Sequence, residues 1–218
     1  MKYDGILFDL DGTLWDASDV TAEAWARTLR KNTFATPAVP LDAESIRCYM
    51  GMTNEELASV IFPDLPFKVG YSLIEEASAL ENVILRERGG RLYAGLHEVL
   101  RKLTERGLKL FIVSNCQAGY IESFLAFHGL ERYFTDFECS GNTGKSKGVN
   151  ILDIISRNAL RSPVFVGDTT SDAGGARFAG IPFIYARYGL GERYHRGRVE
   201  NYNAAIDSLP ELVGAIDD

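Results

Sequence analysis

Asp9 and Asp11 stand two residues apart at the end of the apolar run Ile6, Leu7, Phe8 and Leu10, and Asp168 and Asp172 follow a second run, Val164-Phe165-Val166. In an extended segment residues i and i+2 point to one face, so Asp9 and Asp11 can act on one substrate. Carboxylates gathered at one place repel each other unless a cation stands among them. Mg²⁺, with its hard oxygen ligands and retained waters, fits an all-oxygen set, and the soft ligands that zinc favours are missing from this one. A carboxylate so held can attack phosphorus to give an aspartyl-phosphate, while a second acid protonates the leaving oxygen and later deprotonates water. Gly12 lets the chain turn, and Thr13 brings a hydroxyl into the same turn. Neutralising the phosphoryl oxygens needs further donors. The residues on offer are Ser114 with its neighbour Asn115, nearby backbone N–H groups, and one of two lysines, Lys145 or Lys147, in the loop 141–148.

These residues meet only if the chain brings several strand ends to one edge. Four short runs are apolar throughout rather than alternating, as in strands covered on both faces: Ile6 to Leu10, Leu110 to Val113, Val164 to Val166 and Ile181 to Tyr185. Each stops at a polar turn. Between them lie helical stripes: Leu96, Val99, Leu100 and Leu103; Ile121, Phe124, Leu125 and His128; and Val149, Leu152 and Ile155 beside Ile151 and Ile154. Alternation of strand and helix implies βαβ units, so the expected fold is α/β, a Rossmann-like doubly wound parallel sheet that binds its ligand at the carboxyl ends of the strands. Residues 15–90 break the rhythm. They offer helix signals at Asp19 to Arg30, Asp42 to Tyr49, Asn54 to Ile61 and Phe67 to Arg88 but no strand, and read as an inserted helical domain with Gly89-Gly90 at one edge. The core is then 1–14 plus 91–218. Within the insertion, Tyr49 to Leu57 reads either as a loop dipping towards the site or as a plain turn between helices.

Composition narrows the partners. The 218 residues carry a net charge of −7, which provides no basic face for a polyphosphate backbone, so nucleic acid is not expected. No apolar run is long enough for a membrane span and the N-terminus lacks a signal-peptide pattern. Three scattered cysteines, Cys48, Cys116 and Cys139, form neither a disulfide framework nor a metal motif, and the expected location is the cytoplasm.

In order along the chain, Phe8-Asp9-Leu10-Asp11-Gly12-Thr13-Leu14, Val113-Ser114-Asn115, Lys147 at a helix start and Val166-Gly167-Asp168-Thr169-Thr170-Ser171-Asp172 resemble the four motifs of the haloacid dehalogenase-like hydrolases. The resemblance covers the whole chain. It is nearest to the phosphoglycolate phosphatase-like branch, in which a helical cap is inserted between the first two motifs. It implies a Mg²⁺-dependent phosphatase acting on a small phosphorylated metabolite, with Asp9 as nucleophile and metal ligand, and Asp11 as general acid/base with its backbone carbonyl on the metal. By the same resemblance Ser114 and Lys147 hold the phosphoryl group, Asp168 ligates the metal and Asp172 supports its shell. Lys147 is preferred to Lys145 because Lys147-Gly148-Val149-Asn150-Ile151-Leu152 matches the family's Lys-Pro-x-Pro-x-x-Leu pattern, although both prolines are absent.

Other readings fare worse. A P-loop would need Gly where Cys139 stands, and Gly189-Leu190-Gly191 lacks the third glycine of a dinucleotide fingerprint, which leaves it as a loop over the site. His97, His128 and His195 have no partners at ligand spacing, and Cys116 has no histidine to activate it. A dehalogenase of this fold would need neither a metal nor an acid at Asp11. A phosphosugar mutase would keep all four motifs, and a non-catalytic binding protein would be expected to have lost one. The sequence names neither the substrate nor the number of subunits.

Overall fold

In the computed structural model, which describes residues 2–194 and 197–217, the apolar runs that end in carboxylates form the middle of a parallel sheet. The chain runs β1 (Gly5–Phe8), β2 (Trp15–Asp16), α1 (Ser18–Lys31), α2 (Ala43–Ile46), α3 (Asn54–Ile61), α4 (Phe67–Arg88), β3 (Arg91–Leu92), α5 (Leu96–Glu105), β4 (Lys109–Ser114) and α6 (Tyr120–His128). It continues through β5 (Phe134–Cys139), α7 (Ser140–Thr143), α8 (Lys147–Arg157), β6 (Pro163–Gly167), α9 (Thr170–Ala179), β7 (Phe183–Ala186), α10 (Gly191–Tyr194), β8 (Ala204–Ile206) and α11 (Leu212–Ala215). The main sheet has the order β5-β4-β1-β6-β7-β8, and every pairing in it is parallel.

Alternation within the central strands supplies two apolar faces. Ile6, Phe8, Leu110, Ile112, Val164 and Val166 pack with Leu96, Val99, Leu100 and Leu103 of α5. Leu7, Phe111, Val113 and Phe165 face the other way, onto Ile151 and Ile154 of α8 and Ala176 of α9. Both faces being covered is why these strands read as unbroken apolar runs. The stripe on α8 differs from the expected one: Leu152 is 40% exposed, and the helix buries Lys147, Gly148, Asn150, Ile151 and Ile154 instead. Polar atoms at the start of α8 are drawn inwards by the site, which rotates the buried face away from the purely apolar reading.

The edge strands β5 and β8 were not foreseen. β5, Phe-Thr-Asp-Phe-Glu-Cys, is only partly buried and carries two acids that pair with Arg157, while β8 has three residues. Neither has the continuous apolar character of a central strand.

Between β1 and β4 the four expected helices form. Their ends are tied by a two-stranded antiparallel ribbon, Trp15 opposite Leu92 and Asp16 opposite Arg91, too short to leave a sequence pattern. Asp16 accepts hydrogen bonds from the Ser18 backbone N–H and from the guanidinium groups of Arg47 and Arg91. Burial opposes the Asp16 charge, but these donors hold its carboxyl below the usual range. Trp15 is fully buried and meets Tyr120 at 5.4 Å and Phe124 at 4.8 Å between ring centroids, both edge-on. No described helix is long and apolar enough to cross a membrane.

Trp15→Ala should lower unfolding stability by about 3–5 kcal/mol in urea titrations, through lost burial and an unfilled cavity at the crossing between insertion and sheet. Phe34→Ala, at a residue 63% exposed, should change it by under about 0.5 kcal/mol.

Candidate active site

The register sets the site. Phe8 lies opposite Ile112 of β4 and Val166 of β6, so Asp9 leaves the sheet one step beyond them, next to Ser114 and Asp168 as those strands end. The Asp9 N–H still donates to the Val166 carbonyl at 2.8 Å, which fixes where its side chain emerges. β1 lies between a strand whose chain continues to one edge and a strand whose chain continues to the other, the point where doubly wound sheets open a crevice.

The Lys147 ammonium donates to Asp9 Oδ1 at 2.6 Å and to Asp172 Oδ1 at 2.6 Å, with all three side chains buried. Lys145 lies outside, exposed and paired with Asp153 at 2.7 Å. Asp172 does a second job. With Thr169 it forms a reciprocal capping box on α9, its Oδ2 accepting from the Thr169 N–H at 2.8 Å and the Thr169 hydroxyl at 2.7 Å. The helix start and the lysine anchor are therefore one residue.

Asp168 accepts from the Thr13 hydroxyl at 3.3 Å and from the N–H groups of Leu190 and Gly191 at 2.6 and 3.0 Å. The loop after β7 thus closes on the site, as expected of Gly189-Leu190-Gly191. It comes so close that a side chain at Gly191 would strike the Asp168 carbonyl, and one at Gly12, where φ is +82°, would strike the Asp168 carboxylate.

Asp9, Asp168 and Asp172 each place a carboxylate oxygen within 4.8 Å of the others. Burial first, and Asp172 second, push the Asp9 carboxyl upwards, with Lys147 pulling it back; burial, Asp172 and Asp9 do the same to Asp168. Burial alone would discharge Lys147, but the two aspartates raise it and keep it an ammonium. Three buried carboxylates around one ammonium leave an excess of negative charge, and the donor set is all oxygen. This cluster fits a hard divalent cation.

The Asp11 carboxylate turns away from that cluster and accepts from the Tyr120 hydroxyl at 2.8 Å. Burial raises its pKa well above the usual value; the tyrosine opposes this, and Asp9, Glu81 and Asp16 add to it. Asp11 is not part of the cluster of Asp9, Asp168 and Asp172. Ser114 is buried, and its Oγ accepts from the Cys116 N–H at 3.3 Å. The side chains of Thr13 and Asn115 are both engaged with protein groups. The Thr13 hydroxyl steadies Asp168, while Asn115 donates to the Gly51 carbonyl at 2.9 Å and accepts from Ser140 Oγ at 3.2 Å. Asn115 therefore binds the loop 49–53 of the insertion to the end of β4, so Tyr49 to Leu57 does reach the site.

Tyr120, Gln117 and Glu81 were not singled out in the sequence. Glu81 carried a signal. It falls in the buried stripe of α4, between Ile74, Ala77 and Ser78 on one side and Ile84 and Leu85 on the other, where helical periodicity asks for an apolar residue. Its oxygens accept from the Thr21 hydroxyl and from Gln117 Nε2, the latter at 2.9 Å. Burial pushes its carboxyl up to about 7, and those two donors pull back. Tyr120 opens α6 and had no distinguishing spacing. His97 is exposed and His128 packs on aromatic rings; His195 lies outside the described residues.

Residues 6–186 match the family model described as haloacid dehalogenase-like hydrolase. The chain is 27% identical to a phosphoglycolate phosphatase of Rhodobacter capsulatus over 223 residues, covering 95% of each chain. With a phosphoglycolate phosphatase of Photobacterium profundum it shares 26% over 227 residues, covering 97% of this chain and 94% of the other. A crystal structure from Bacteroides fragilis described as a haloacid dehalogenase-like hydrolase superposes with a TM-score of 0.82 at 24% identity, covering 96% of this chain and 99% of that one, a likeness of fold.

Lys147→Met should cost about 3–5 kcal/mol of unfolding free energy, because Asp9 and Asp172 would be left buried without their cation. An unchanged urea midpoint would mean that the ammonium does not compensate them. For Glu81, a carboxyl raised on folding binds its proton more tightly in the native state, so its contribution to stability falls as pH rises from about 4.5 towards 7. Glu81→Gln should remove up to about 3 kcal/mol of that fall, measured as the difference between wild-type and variant stability–pH curves.

Proposed function

The chain belongs to the haloacid dehalogenase-like hydrolases, and from that membership we propose that it is a Mg²⁺-dependent phosphatase that hydrolyses small phosphomonoesters through an aspartyl-phosphate on Asp9. The observation that carries this reading is the buried Lys147 bridge between Asp9 and Asp172, with Asp168 beside it and Asp11 two residues along. The names of the curated relatives agree with the reaction class. We take residues 1–14 and 91–218 as the core and 15–90 as the cap.

On this reading Asp9, Asp168 and the backbone carbonyl of Asp11, supported by Asp172, would hold Mg²⁺, which when bound would screen the repulsion between the phosphate and the Asp9 carboxylate. Lys147 and the Ser114 hydroxyl orient the phosphoryl oxygens. The Asp9 carboxylate attacks phosphorus and the bond to the leaving oxygen breaks. Asp11 gives its proton to that oxygen, and the alcohol departs. The raised pKa of Asp11 suits this duty, because burial favours its protonated form, and Tyr120 occupies Oδ1 so that Oδ2 is left to carry the proton. Asp11 then takes a proton from water, the water oxygen attacks the acyl-phosphate, inorganic phosphate leaves and Asp9 is restored. The insertion covers this chemistry, with Gly51 tied to Asn115 and Glu81 tied to Gln117, and excludes bulk water from it.

Purified protein with Mg²⁺ should release inorganic phosphate from members of a broad phosphomonoester panel and lose that activity in excess chelator. Asp9→Asn should lower kcat by about 10⁴-fold or more and Asp11→Asn by about 10²–10⁴-fold. Undiminished turnover by Asp9→Asn would remove Asp9 as nucleophile.

A further inference from the structure

The cleft between the insertion and the sheet carries the opposite charge to what a carboxylate-bearing leaving group needs. A small cavity of about 50 Å³ opens beside Asp11 and is lined by Glu81, Gln117, Tyr120, Thr21 and Trp25 among others. Around the loop 49–53 it is flanked by a cavity of about 120 Å³ with Glu55 on its wall and one of about 650 Å³ with Glu56. Among the described residues, no lysine, arginine or histidine lines any of the three. Near the largest of the three, Arg193 lies over the ring of Tyr194, which does not line the cavity of Glu81. Two other nearby cations are engaged. Arg47, stacked on the Tyr194 that borders the largest cavity, is held by Asp16 and Glu44, and Lys147 is committed to the phosphoryl site.

Glu81 stands where the leaving group must go, because it shares the cavity with Asp11, the residue that protonates the leaving oxygen. Thr21 and Gln117 each take one of its oxygens. A carboxylate accepts about four hydrogen bonds, so acceptor capacity remains beyond these two. Thr21 and Gln117 also fix the rotamer from two directions, one from α1 of the insertion and one from the segment after β4, so the acceptor is pre-positioned rather than mobile.

We propose that Glu81 is a specificity-determining residue of the leaving-group pocket. It selects phosphomonoesters whose leaving alcohol presents hydroxyl or ammonium donors and carries no second anionic group. The proposal rests on the phosphatase reading of the site and sharpens it. A hydroxyl or ammonium group satisfies the free lone pairs of Glu81, whereas a carboxylate there would meet like charge, and no lysine, arginine or histidine among the described residues lines that cavity to offset it. On this basis the chain departs from the substrate that the names of its curated relatives print, although it shares their overall sequence.

The test measures kcat/KM for the wild-type protein with Mg²⁺ at pH 8. Phosphoglycolate and 3-phosphoglycerate carry the carboxylate; glycerol 1-phosphate and phosphoethanolamine offer a hydroxyl and an ammonium. At least about a tenfold preference for the better of the second pair over both of the first is expected, since two like charges in a partly desolvated cleft repel strongly. Glu81→Gln should shrink that ratio at least about fivefold, chiefly by lowering KM for the carboxylate substrates, with an unaltered circular dichroism spectrum showing that the variant is folded. Phosphoglycolate or 3-phosphoglycerate turned over as well as the other pair, or a ratio unmoved by Glu81→Gln, would overturn this assignment while leaving the phosphatase intact. Absence of turnover with every phosphomonoester would overturn both. Comparison of glycerol 1-phosphate with phosphoethanolamine tells which donor Glu81 selects.

Discussion

One ammonium group in the interior holds the site together. Burying several carboxylates side by side is unfavourable twice over, through desolvation and through mutual repulsion, and among the described residues Lys147 is the cation placed to offset both by bridging Asp9 and Asp172. The rest of the architecture follows from satisfying that arrangement. The β1 register aims Asp9 at the lysine, the first turn of α8 supplies the lysine, and the capping box of α9 locks Asp172. The loop after β7 then folds over so that its backbone N–H groups complete Asp168. The inward pull on Lys147 and Asn150 also explains why α8 turns an unexpected face to the sheet.

A second constraint links the site to the helical insertion. Within the few residues after β4, Asn115 reaches the loop at Gly51, Gln117 reaches Glu81, the Ala118 carbonyl accepts from Asn82, and Tyr120 reaches Asp11. One short segment therefore reads the position of the insertion on one side and holds the acid on the other. Displacing the insertion disturbs the hydrogen bonds that Asn115 and Gln117 make, and both flank the segment carrying Tyr120. The chemistry and the covering helices are coupled by adjacency in the chain, and no long-range relay is required.

How much was legible follows from where each signal comes from. The four central strands and the carboxylates at their ends were readable, because burial on both faces forces unbroken apolar runs and a polar residue at the end of such a run stands out. The four helices of the insertion were readable by period. Lys147 rather than Lys145 was chosen from a family pattern with both prolines missing, and of the two it is Lys147 that is buried beside Asp9 and Asp172 while Lys145 pairs with Asp153. The edge strands β5 and β8 were not readable, since partial burial removes the pattern and three residues are too few to carry one. Thr13 and Asn115 were assigned to phosphate from their place in the motifs, which carries no information on their protein partners, Asp168 for the Thr13 hydroxyl and Gly51 and Ser140 for the Asn115 amide. Glu81 could have been found as a charge in an apolar stripe. Tyr120 could not, since a tyrosine at the start of a buried helix is usually only packing.

The two-stranded ribbon at the base of the insertion has an evolutionary reading. Because Trp15–Asp16 and Arg91–Leu92 lie side by side, the chain leaves the sheet domain and returns to it at nearly one point. A segment with its entry and exit so close can be lengthened, shortened or replaced without changing the register of any strand in the main sheet. Residues of the insertion that line the cavity beside Asp11 can thus be exchanged without shifting the strand ends that carry the aspartates. Members of one lineage can share most of their sheet and diverge in what they accept, so modest overall identity is a poor guide to substrate.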